Sequence, residues 1–241
     1  MIFLKKPKAK TVIPGVQDKD QLISKLNIAL FAIVVLVLLF NQYLISDVSV
    51  GIGLKKPSYS GDDSKLKAAD LSKITSTAQA IQTLMPIDKI KDAQSAMDVM
   101  IPQGMPEYGQ AMGVSYDDPV NSMDVLVKTY RSTQLSPEQQ QRYIALATKP
   151  VGISCEHCCG VGPVGITPDG KLRCGCAHMP ALHGLTKWLI QNTDYSDAKI
   201  VQENLKWKSL FFPKNMVELG LKVAGGDPSV LKDLPGMVGG C

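Results

Sequence analysis

The stretch from Cys155 to His183, CEHCCGVGPVGITPDGKLRCGCAHMPALH, holds five of the chain's six cysteines and all three histidines. Soft donors set this close constrain the fold more than any other feature, because the backbone on both sides must bend to bring them together. Cys155 and Cys158 are separated by two residues, the spacing of a metal-binding knuckle, and fourteen residues lie between Cys159 and the Cys174-Gly175-Cys176 pair. Between them, Ile166 to Leu172 reads as a short β-hairpin, with Pro168 at the turn and Gly170 supplying a positive φ. This is the logic of a zinc ribbon, in which two knuckles across roughly 15 to 20 residues place four thiolates around a tetrahedral ion. Cys174-x-Cys176 departs from it, being tighter than the usual two-residue spacer.

One tetrahedral ion takes four donors, here Cys155, Cys158, Cys174 and Cys176. The surplus, Cys159, His157, His178, His183 and Cys241, is then available for a second ion, a disulfide or support of the ligands. Zinc is the expected metal; Cu(I) and an Fe–S cluster are the alternatives that thiolates also suit. His157 sits inside the first knuckle, and its ring is expected to point outward. His183 falls on the shoulder of an apolar helix face, where packing competes with ligation. The Gly239-Gly240 pair lets Cys241 bend back as a ligand or disulfide partner.

Disulfide pairing is the strongest rival to metal, and its weight depends on compartment. Residues 28–40 are unbroken apolar sequence, and residues 26–45 are interrupted only by Asn27, Asn41 and Gln42. Such a run makes ~30 Å of helix, the thickness of a bilayer core. The preceding segment is long for a signal peptide and no small-x-small site follows Phe40, so the run reads as an uncleaved transmembrane anchor. Six lysines precede it, against Asp18 and Asp20, and they account for the whole formal charge of +4, since the remaining 20 basic and 20 acidic residues cancel. That asymmetry predicts a cytoplasmic N-terminus and an extracytoplasmic C-terminal domain, where disulfides persist.

The expected organisation is a basic segment 1–25, an anchor 26–45, a linker 46–64 and a helical domain 65–241 with its Cys/His module at 153–184. The fold class is therefore mainly α: one transmembrane helix, then a helical domain with a small zinc-ribbon-like hairpin. Leu66, Leu71, Ile74, Ala78, Ile81 and Leu84 predict a helix that Pro86 breaks, and residues 87–100 predict a second. Asp118-Pro119 and Ser136-Pro137-Glu138 are helix start signals, and Ser196 is a third cap. Further helices are expected from Met179-Pro180 and over residues 215–223.

Several functions find no footing. No run of Lys/Arg interleaved with aromatics follows residue 56, which argues against nucleic acid. No Ser/His/Asp order or phosphate-cradling glycine loop is present, which removes hydrolase and nucleotide chemistry. Cys176-Ala177-His178 is not the Cys-x-x-Cys-His of covalent haem. Asp117-Asp118 reads as helix capping rather than a catalytic pair. Met85, Met97, Met100, Met105, Met112 and Met123 read as core filling rather than a copper site.

The segments GVSYDDPV at 113–120, CEHCCG, CGCAHMPALHGLTKWLI, KSLFFPK at 208–214 and the closing LPGMVGGC resemble a group of membrane-anchored, cysteine-rich prokaryotic proteins without an assigned activity. The resemblance covers about residues 110–241 and implies that these segments form one module. Cys174-Gly175-Cys176 is also similar to the core of proteins named for a PCYCGC motif, with Leu172-Arg173 replacing the Pro-Cys-Tyr portion.

The expected function is a membrane-anchored, extracytoplasmic metal-binding protein that presents helices to a protein partner, its metal mainly structural, with binding favoured over catalysis and the enzyme question left open. A redox-active or copper-handling thiol protein is the first alternative. A disulfide-stapled structural ectodomain is the second.

Overall fold

A computed structural model describes residues 25, 27–31, 34, 66, 68–226 and 237–239. The chain divides into two units, residues 1–55 and 56–241. In the first, the described residues are helical and leave Ile28, Leu30, Phe31 and Val34 exposed. No helix among the described residues is long and apolar enough to cross a membrane. The expected single-pass topology and localisation are corrected accordingly. Most of residues 26–45, the linker 46–64 and Cys241 lie outside the described residues.

The second unit is helical. After a 3₁₀ turn at Leu71–Lys73 come α1 (Thr77–Leu84), a second 3₁₀ turn (Ile87–Lys89), α2 (Ala93–Met100) and the one-turn α3 (Gly109–Met112). Then follow α4 (Pro119–Ser132), α5 (Pro137–Ala147), the one-turn α6 (Glu156–Cys159), α7 (His178–Asn192), α8 (Asp197–Phe211) and α9 (Pro213–Val223). The helix starts follow local chemistry. Asp118 accepts from the Asn121 amide with Pro119 at the first helical position. Ser136 and Gln139 form a reciprocal capping box before the apolar face of α5, and Ser196 accepts from the Lys199 amide to start α8. Asp117, paired with Asp118 in sequence, accepts from the Gly104 amide at 2.7 Å and closes the preceding loop. The single helix expected up to Leu84 is interrupted, because Asp70 turns back to the Ser72 amide and Ser76 caps α1 anew.

α8 runs through the middle of this unit. Every residue from Ile200 to Phe211 is buried, including Gln202, Glu203, Asn204, Lys206, Lys208 and Ser209. A helix buried all round is normally apolar all round; here the polar side chains each make at least one bond, although Gln202 Oε1 and Asn204 Oδ1 are buried without one. Gln202 donates to Leu84 O at 2.7 Å, Asn204 to Thr186 Oγ1 at 3.0 Å, and Ser209 to Leu205 O at 2.9 Å. Glu203 is held by Lys206 at 2.7 Å and by the hydroxyls of Tyr116 at 2.5 Å and Tyr108 at 3.1 Å.

α7 packs along α4 so closely that a Cβ on Gly184 would stand 2.1 Å from Leu126 O. The methionines expected as core filling are mostly that: Met85, Met100, Met112 and Met123 are buried, whereas Met105 is 62 % exposed.

The expected β-hairpin is a further correction, for no strand is present among the described residues. Ile166 and Leu172 form one isolated antiparallel bridge and Ile153 and Val164 one parallel bridge. Gly170 does take a positive φ of 83°. On one side the ladder ends in the turn itself, where the Thr167 amide donates to Lys171 O at 2.9 Å and the Gly170 amide to Thr167 O at 2.8 Å. On the other side, the chain beyond Arg173 is drawn away into the cysteine cluster.

Candidate metal centre

Two loop segments and the start of a core helix assemble the centre. The first segment leaves α5 and turns at Gly152, whose φ of 90° and close approach to Thr77 (a Cβ would meet Oγ1 at 2.7 Å) suit glycine alone. Its amide donates to Pro163 O at 3.0 Å and its carbonyl accepts from Lys208 Nζ at 3.0 Å. Lys208, fully buried on α8, also reaches the Glu156 carboxylate at 2.6 Å. The first cysteine loop is thereby tied to the central helix from below.

Cys155 precedes α6, which is a single turn of helix. On a helical turn, residues i and i+4 share a face, so Cys155 and Cys159 point the same way. Gly160, at φ 65°, ends the turn. The chain returns past Gly165, where a Cβ would lie 2.3 Å from Ile153 O, and delivers Cys174 and Cys176 immediately ahead of α7.

The Sγ atoms of Cys155, Cys159, Cys174 and Cys176 consequently lie within 4.8 Å of one another. Tetrahedral Zn–S bonds of about 2.3 Å put sulfurs about 3.8 Å apart, so the four can surround one ion once the bonded pair among them is reduced and parts to that spacing. Cys159 and Cys174 are joined as a disulfide, and Cys155 and Cys176 are free thiols. Beside them, Cys158, Cys176 and His178 also bring donor atoms within 4.8 Å of one another. Cys158 is disulfide-bonded, and its Sγ is 3.7 Å from that of Cys159.

Of the residues expected to share one ion, Cys155, Cys174 and Cys176 thus converge with Cys159, while Cys158 sits with Cys176 and His178. The helical winding of α6 makes the difference, since spacing alone suggested the irregular knuckle of a ribbon.

Burial pushes the Cys155 thiol up to about 12, with the neighbouring Cys176 adding to the shift and the charge of Lys208 opposing it. Glu156 feels burial too, but the ammonium of Lys208 and its hydrogen bond prevail and hold the carboxyl below its usual range.

The three histidines have different surroundings. His178, fully buried at the start of α7, has Nε2 2.9 Å from Val238 O, while Nδ1 is buried without a hydrogen-bond partner. Burial lowers its pKa, so the ring is neutral with its proton on Nε2 and its lone pair on Nδ1. His183, also fully buried, meets the Tyr143 hydroxyl at 3.0 Å through Nδ1, and Nε2 faces Ile153 without a well-formed hydrogen bond. Burial lowers it to about 3, which suits a core histidine that positions the first cysteine loop. His157 does not point outward as expected. Its ring packs on Phe212 at 5.5 Å between centroids, and burial followed by the charge of Lys208 lowers it to about 4.

Chemically, this arrangement can hold a soft metal ion on thiolates or exchange thiols with disulfides. Lys208 and Glu156 lie in two of the segments that carry the resemblance, but at 52 residues apart nothing in the sequence pairs them; only the all-round burial of α8 exposes their role. Searches against family models, curated proteins and solved structures find no match to this chain.

Proposed function

We propose that in its reduced form this chain binds a zinc ion on Cys155, Cys159, Cys174 and Cys176, and that the ion is mainly structural. The observation that carries the reading is the convergence of four sulfurs from two loops within 4.8 Å. An all-thiolate set with no carboxylate oxygen selects a soft or borderline ion, and the carboxylate next to Cys155 in sequence, Glu156, is engaged by Lys208. The loop at residues 148–177 has no helix longer than one turn and is held by turn bonds and two isolated bridges rather than by long elements. A metal bridging its two ends would fasten it between α5 and α7, the work of a structural site.

Oxidation converts two of the four donors into the Cys159–Cys174 disulfide, and this supports a second reading, a redox-active thiol protein. The two differ in what fills the reduced centre. Elemental analysis of full-length protein purified under reduction without chelator should find thiolate-bound zinc that shields Cys155 and Cys176 from alkylation. Metal-free protein with freely reacting thiols would reject the zinc reading and leave the redox one.

A further inference from the structure

We propose that the reduced chain holds a second metal ion beside the first, on Cys158, Cys176 and His178 Nδ1, with the Cys176 thiolate shared between the two ions. This deepens the zinc reading and rests on it. His178 supplies the first argument. A ligating histidine characteristically donates its other ring N–H to a carbonyl or carboxylate, which fixes the tautomer and aims the free lone pair. His178 does this through Val238 O at 2.9 Å, and the remaining nitrogen is buried with no hydrogen bond. An imidazole nitrogen left so is costly unless something coordinates it. Phe211 and Phe212 pack on the ring at centroid distances of 5.5 and 4.7 Å, so it has little room to turn elsewhere.

Adjacency supplies the second argument. Cys176 belongs to both donor groups, and Cys158 Sγ lies 3.7 Å from Cys159 Sγ of the first. Two ions at these positions would be neighbours joined by one sulfur, the arrangement in which a thiolate uses two lone pairs at once. Metal loading requires reduction: a dithiol gives two electrons and two protons to each disulfide, opening the Cys159–Cys174 bond and that of Cys158. The metal ions then displace the thiol protons to solvent.

The test titrates the full-length, reduced chain with Co(II) and, separately, ¹¹³Cd(II) under anaerobic conditions. The expected wild-type result is two equivalents of Co(II), with the cobalt EPR amplitude per ion falling as the second binds, because a shared sulfur couples the spins. Two ¹¹³Cd resonances with mutual scalar coupling are expected in parallel, a readout that needs no variant. His178→Gln should take one equivalent and lose the EPR attenuation, and His178→Cys, which restores a soft donor, should recover the second. Saturation at one equivalent with a single ¹¹³Cd resonance overturns the second site and leaves the first standing. Two uncoupled ions overturn the shared sulfur, and no uptake at all overturns the zinc reading itself.

Discussion

Lys208 shows how much one residue can carry here. Its ammonium is fully buried, bonded to Glu156 at 2.6 Å and Gly152 O at 3.0 Å. Removing one partner of a buried ion pair strands the other charge, which typically costs about 3–5 kcal/mol. Lys208→Met should therefore destabilise the chain by roughly that amount in urea unfolding and loosen the first cysteine loop, whereas Lys208→Met with Glu156→Gln should recover much of the loss. His183 gives a pH signature. Its folded pKa, lowered to about 3, lies below the ordinary value of 6.5, so the unfolded chain binds the extra proton first. Its contribution is fully present above pH 6.5 and is lost as the pH falls towards 3, by about 1.4 kcal/mol per unit. Tyr143 faces the ring as a neutral hydroxyl, and the nearby charge of Lys187 adds to the depression. Unfolding of metal-free protein at stepped pH should lose stability over this window, with a shallower slope for His183→Gln. An unchanged slope would mean that the ring is not buried neutral.

Elements are held by close approach as much as by apolar burial. At Gly184 the backbones of α7 and α4 meet too tightly for any side chain, a Cβ standing 2.1 Å from Leu126 O and 2.9 Å from Tyr130 N. Since backbone cannot yield as a flexible side chain can, Gly184→Ala should cost about 1–3 kcal/mol despite its gain in helix propensity. A thermal midpoint at or above wild type would show that the two helices can separate freely. Around α8, the Tyr116 hydroxyl is 2.5 Å from buried Glu203. Tyr116→Phe removes a hydrogen bond to a charged group and should cost about 1.5–3 kcal/mol in chemical denaturation. The caps of α4, α5 and α8 were legible beforehand, because Asp118, Ser136 and Ser196 act on amides three residues away. The interruption before α1 was not. Apolar spacing ran straight through it, while Asp70 and Ser76 broke the helix with side-chain bonds that periodicity does not register.

Across the whole helical unit, metal and redox state should set stability together. A ligand bound only by the folded state stabilises it by RT ln(1 + [L]/Kd), about 4 kcal/mol at a thousandfold excess over Kd. Chelation of the reduced chain should accordingly lower its melting temperature by several degrees, while the oxidised chain, with Cys159–Cys174 closed, should be indifferent to chelator. Equal response in both states would disconnect the metal from the cysteines. The sequence by itself determined that the fold is mainly helical, where its well-capped helices begin, and that soft donors crowd between Cys155 and His183, because caps, apolar periodicity and donor density are local properties. Only the tertiary structure decided which sulfurs share a position, that Lys208 and Glu156 lie beneath them, and that the turn at residues 166–172 never becomes a hairpin. Those outcomes depend on the winding of a one-turn helix and on segments brought together from distant parts of the chain, and spacing along a sequence carries neither.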